Sequence, residues 1–166
     1  MNTRATSILT RIRQNHALEH ATIHLLARQH PAPRVVARSD WNGFTIYGTL
    51  DTARVVAAAS EGLMRLQAGQ KHLAVHPRCG TNVVVGGLVA GAASSLTLIS
   101  KDRSPLRRFV SFVGAALAGL LLAYPLGPVF QRHVTTSSDL TGVSIREVRR
   151  EQRGSLVMHR VRVEWE

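Results

Sequence analysis

Two runs without a charged residue, 83–100 (VVVGGLVAGAASSLTLIS) and 109–130 (FVSFVGAALAGLLLAYPLGPVF), set the main constraint on this chain. A helix needs roughly 17–25 apolar residues to cross a hydrocarbon layer ~30 Å thick. The second run meets that length, with Leu117, Leu120, Leu121 and Leu122 near its centre. Pro125 and Pro128 kink or end it, and Tyr124 stands where an interfacial aromatic belongs. The first run is richer in Gly, Ala and Ser, and Gly87-x-x-x-Gly91 gives it a face that another helix can approach closely. The basic loop 101–108 between them is too short to be a domain. The pattern therefore predicts a two-helix transmembrane hairpin that returns the chain to the side it left. The competing reading is a buried helical hairpin in a soluble protein.

The rest of the chain reads as a small α+β module. Apolar spacing predicts a helix over 7–29, stopped by Pro31 and Pro33. Strands are expected over 34–38 and 44–49, around the turn Asp40-Trp41-Asn42-Gly43. Asp51 or Thr52 caps a second helix over 53–67, which Gly69 ends. After a polar stretch, two further strands are expected over 143–150 and 156–165. In the latter, Val157, His159, Val161, Val163 and Trp165 alternate with Met158, Arg160, Arg162 and Glu164, the signature of a half-buried strand. These strands can join the first hairpin in one sheet. The expected organisation is an N-terminal module over 1–80, a membrane hairpin over 83–130, and a tail over 131–166 that packs back on the module.

Charge narrows the partners. Lys and Arg number 21 against 10 Asp and Glu, a formal net charge of +11, yet aromatics make up only 5%. With no nucleic-acid-binding motif, this balance fits an anionic bilayer and not a nucleic acid. The bilayer is the expected partner, together with self-association or another membrane protein through Gly87 and Gly91. The N-terminus lacks the apolar core of a secretory signal, so the expectation is a cell-membrane protein with its module in the cytoplasm. Lys101, Arg103, Arg107 and Arg108 in the short loop pull the other way. A single cysteine excludes an intrachain disulfide.

Chemistry is concentrated in two places. His16-Ala17-Leu18-Glu19-His20 reads H-x-x-E-H on the first helix. Residues four apart lie one turn above each other, so His16 and His20 can offer two imidazoles to one metal, with Glu19 as a base for metal-bound water. His24 continues the stripe and is expected to face solvent or to hydrogen-bond. Ala17, Leu18, Ala21 and Leu25 form a separate apolar side for packing. The second cluster, His76-Pro77-Arg78-Cys79-Gly80-Thr81-Asn82, stands just before the first apolar run. There Thr81 or Asn82 is the expected helix cap, and Cys79 beside Arg78 at a helix N-terminus favours the thiolate. His16, His20, His76 and Cys79 together make an N/S ligand set suited to zinc. Four ligands would close the site and make the metal structural. Three would leave room for water and give Glu19 a role. His133 and His159 read as structural, and His72 is too far along the extended chain from His76 to share a metal.

The segments HALEHATI and HPRCGTN, in that order and followed by a membrane segment, resemble the YqhQ-type family of bacterial membrane proteins. The resemblance rests on His16, Glu19, His20, Thr22, Ile23 and on residues 76–81, and covers roughly residues 14–100. It implies a metal-dependent membrane enzyme without naming a substrate. Asn82 stands where that family usually has Ser. The expectation is a zinc-dependent hydrolase acting on a lipid or membrane-associated peptide. The alternative is a non-catalytic membrane adaptor or complex subunit with a structural metal.

Overall fold

The computed structural model describes residues 7–28, 34–99 and 104–166. The expected helix stop at Pro31 and Pro33 and most of the charged part of the 101–108 loop lie outside the described residues. The chain is α+β and divides into two compact units, Met1–His76 with Arg132–Glu166, and Pro77–Gln131.

In the first unit, α1 (Ile8–Ala27) starts where the Ser7 side chain accepts a hydrogen bond from the Thr10 amide. β1 (Val36–Asp40) and β2 (Gly43–Tyr47) form a hairpin whose turn is closed by the Asn42 amide donating to Asp40 Oδ1 at 2.8 Å. Gly43 is required there. Its φ is +141°, and a Cβ would collide with the Val161 carbonyl of the neighbouring strand. α2 (Thr52–Gln67) is capped by Asp51, as expected. A 3-10 turn, Lys71–Ala74, follows it. The tail contributes β3 (Val143–Arg153) and β4 (Leu156–Trp165).

The four strands form one antiparallel sheet in the order β1-β2-β4-β3. The last strand of the chain thus sits between β2 and β3, with Val161 opposite Phe44 on one side and Val148 on the other. The alternation in β4 does what its period implies. Val157, His159, Val161 and Val163 are buried, while Arg162 and Glu164 are exposed. Val161 and Val163 join Leu18 and Leu26 of α1 and Val55 and Leu66 of α2 in one core. Each fully buried aliphatic side chain there contributes about 1.5–3 kcal/mol. β3 runs three residues further than its sequence pattern suggests and carries an irregularity between Ile145 and Glu147.

The second unit holds α3 (Gly80–Thr97), α4 (Pro105–Ala123) and the short α5 (Leu126–Phe130). α3 and α4 are long and apolar enough to cross a membrane, and little of either is buried. Their close approach to each other does not involve Gly87 or Gly91, the residues expected to meet another membrane protein or a second copy. A Cβ at Gly87 or Gly91 would meet nothing within 4 Å, whereas one at Gly119 would lie 2.8 Å from Ala90 Cα. The helix pair therefore meets through Gly119 and Ala90, and the Gly87/Gly91 face is turned away from this contact.

Candidate metal centre

Within the first unit, His16, His20 and His24 lie one turn apart on α1, and His76 ends the segment that follows the 3-10 turn. The His16 and His20 ring centroids are 4.3 Å apart, those of His20 and His76 5.7 Å, and those of His24 and His76 4.8 Å. His20 is buried and the others are half-buried. All four imidazoles thus form one continuous cluster. His24, expected to face solvent or to hydrogen-bond, does bond, and its ring also lies against His76.

The backbone orients three of these rings. His20 Nδ1 donates to the Ala74 carbonyl at 2.8 Å, His24 Nε2 to the Val75 carbonyl at 2.8 Å, and His16 Nδ1 to the Thr135 carbonyl at 3.0 Å. A carbonyl oxygen can only accept, so each bonded ring nitrogen must carry the proton. In the neutral imidazole the lone pair then resides on the opposite nitrogen: Nε2 of His16 and His20, and Nδ1 of His24. Metal-bound histidines are typically held in this way. No sequence motif announces it, because the acceptors are main-chain atoms more than fifty positions away.

Glu19 is buried on the same helix and reaches β1. Its carboxylate accepts hydrogen bonds from the Ser39 side chain and backbone. Burial raises its pKa above the ordinary carboxylate value, against the opposing pull of His16 and of the Ser39 bonds. Ser39 is a contact the sequence did not suggest.

α1 is also buried more fully than its apolar side alone implies. Asn15 Nδ2 donates to the Asp40 carbonyl at 2.7 Å, and Gln14 Nε2 donates to that of Asp139 at 2.8 Å. Gln14 also accepts from Trp165 Nε1 at 2.8 Å. These side chains make a polar interior in which the Asn15 and Gln14 amide donors each find a carbonyl.

Cys79 opens the second unit. It is itself the N-cap of α3, with the Thr81 amide bonded to its Sγ at 3.4 Å, so the cap falls earlier than the expected Thr81 or Asn82. Asn82 instead donates to the Pro77 carbonyl and accepts from Gln131. His72 and His133 are exposed. His159 is fully buried in the sheet, with Nε2 at 3.2 Å from Thr52 Oγ1, and burial lowers its pKa.

Residues 11–148 match a domain of unknown function, DUF6391. The chain belongs to that family. An uncharacterised protein of the cyanobacterium Picosynechococcus sp. is 34% identical over 171 residues, covering 93% of this chain and 80% of the relative. No solved structure matches. The family match takes in both histidine-bearing segments and both apolar helices. Neither match lends support to a YqhQ-type relationship, so the chemistry of this DUF6391 member rests on its own residues.

Proposed function

We propose that this DUF6391 protein is an integral membrane, zinc-dependent hydrolase whose metal is held by His16, His20 and Cys79 with His76 alongside. α3 and α4 anchor it in the cell membrane, the first unit faces the cytoplasm, and the substrate is a lipid or a membrane-associated peptide. The observation that carries the metal is the set of backbone carbonyls that fix the His16 and His20 tautomers and turn their Nε2 lone pairs outward from those bonds. Cys79 follows His76 by three positions, so chain connectivity alone keeps the thiol's residue within about 10–11 Å of it. Two imidazoles and a thiolate are a zinc-type set that leaves a fourth position for water. Glu19, next to His20 on the same helix, is the residue suited to take a proton from that water.

The Ser39 bonds to Glu19 favour a second reading, in which Glu19 braces α1 against β1 and the zinc pins a non-catalytic adaptor. Substitution separates the two. With Glu19 as base, Glu19→Gln keeps zinc content and thermal stability, and it removes hydrolysis of a fluorogenic lipid or peptide ester by the full chain. If Glu19→Gln releases zinc or lowers the melting temperature as much as His20→Ala does, the adaptor reading stands.

A further inference from the structure

A cavity of about 280 Å³ opens on the first unit, between the 3-10 turn and the segment that leads into β3. Its polar lining is Lys71, His72, Arg132, Thr136 and Ser138. That is two permanent cations, one imidazole and two hydroxyls, with no carboxylate among them. Ala74 and Val75 supply the apolar part of the wall. The nearby acid is Asp139, whose carboxyl is held below the usual range first by hydrogen bonding from Thr141 and also by the Lys71 charge. Asp139 is solvent-exposed, so it offsets Lys71 only weakly.

This lining has a specific complement. Arg and Lys make charge-assisted hydrogen bonds to phosphate oxygens, and hydroxyls supply further donors. The volume suits a phosphate with a short ester arm and is too small for a whole lipid. The apolar wall matches the ester carbons. The pocket is also built from the segment that frames the histidine cluster: the carbonyls of Ala74 and Val75, which line it, hold His20 and His24. On the other wall, Thr136 directly follows Thr135, whose carbonyl holds His16.

We infer that this pocket receives the phosphate of an anionic glycerophospholipid headgroup. The inference rests on the hydrolase reading only in naming its substrate class; the binding itself requires no metal. A free phosphate ion shares the chemistry and would use the same cations.

The test uses the full chain in a neutral maltoside detergent, first dialysed against a chelator. It is titrated calorimetrically with dihexanoyl phosphatidate, inorganic phosphate and dihexanoyl phosphatidylcholine. The expected result is saturable binding of phosphatidate, tighter than inorganic phosphate by at least about tenfold, with no binding of phosphatidylcholine. Lys71→Gln and Arg132→Gln should each weaken it by roughly tenfold, the loss of one charge-assisted contact. Both positions are exposed, and an unchanged melting temperature establishes that each variant folds. Ser138→Ala should give a smaller loss in the same direction. Equal affinity for inorganic phosphate and phosphatidate would overturn the headgroup assignment. Absence of phosphatidate binding, or binding indifferent to both charge substitutions in folded protein, would overturn the site. Because the protein is metal-free throughout, neither outcome depends on whether zinc binds.

Discussion

The two units treat the same residue types in opposite ways. The first buries polar side chains: Asn15, Glu19, His20 and His159 are all within its interior. The second exposes apolar ones: Leu88, Leu117, Leu121 and Phe109 of α3 and α4 are each more than half exposed. In water, both choices are costly. They make sense together if water is the solvent of neither surface. On the membrane reading proposed above, bilayer lipid would cover the apolar helices of one unit, while in the other, hydrogen bonds such as those of Asn15 Nδ2 and His20 Nδ1 meet part of the buried polarity. On that proposed reading, buried polarity marks the metal site and exposed apolarity marks the membrane-facing helices.

The contrast can be broken most forcefully by shortening one leucine in each unit. Leu26→Ala in α1 removes a side chain with no exposure and should cost about 2–5 kcal/mol by the cavity rule. Leu121→Ala in α4 should change stability in detergent by less than about 0.5 kcal/mol. Chemical denaturation of both variants checks this. A large loss at Leu121 would show that the α3–α4 surface is a protein core and not a lipid-facing one.

Orientation gives the next largest effect. A cysteine placed at Ser104, labelled with a membrane-impermeant maleimide in intact cells, should react if the first unit is cytoplasmic. Labelling only after lysis would place that unit on the opposite side. Cys79→Ser in the same background removes any contribution from the native thiol.

A smaller effect comes from His159. Burial holds its folded pKa below the ordinary 6.5. The unfolded chain therefore binds the proton more readily. Stability from this group is fully present above pH 6.5 and is lost as pH falls toward the folded value, with a slope of at most about 1.4 kcal/mol per pH unit. In a melting series from pH 7.5 to 5, His159→Gln should flatten that slope.

The smallest expected change is at the rim of the sheet. Arg160 grips Asp40 with two bonds of 2.6 and 2.8 Å. Burial alone would raise the Asp40 carboxyl, but the bonds from Arg160 and Asn42 and the charges of Arg160 and Arg38 hold it below 3.8. The pair's stabilisation is thus present above that pH and lost as the solution is acidified through the lowered value. Asp40 is partly exposed, so Asp40→Asn should cost no more than about 1 kcal/mol at pH 7.

What the sequence makes legible follows from period and punctuation. The strict alternation of 156–165 announces a half-buried strand, and the uncharged runs announce the two apolar helices. Asp51 marks the start of α2. What stays hidden depends on partners that have no side-chain code. The main-chain carbonyls of Ala74, Val75 and Thr135 that orient the histidines cannot be read from residue identities, and neither can the Asp40 and Asp139 carbonyls that draw Asn15 and Gln14 inside. The helix contact through Gly119 and Ala90 is hidden for a related reason. A small-residue motif such as Gly87-x-x-x-Gly91 permits close approach, but the rotation of each helix decides which small residues meet. The cap at Cys79 differs from the expected Thr81 or Asn82 because a thiolate or thiol sulfur can also accept the first amides of a helix.

The measurement that bears most directly on the central claim is zinc content. Full-length protein in neutral detergent, equilibrated with zinc and dialysed free of excess, should retain about one zinc per chain by elemental analysis, as an N/S site of this kind requires. His20→Ala and Cys79→Ser should each abolish retention while the protein remains folded by circular dichroism. Cobalt substitution of the wild type should add a thiolate-to-metal charge-transfer band that Cys79→Ser removes. Wild-type protein that retains no zinc, or His20→Ala protein that retains as much as wild type, would contradict the metal centre.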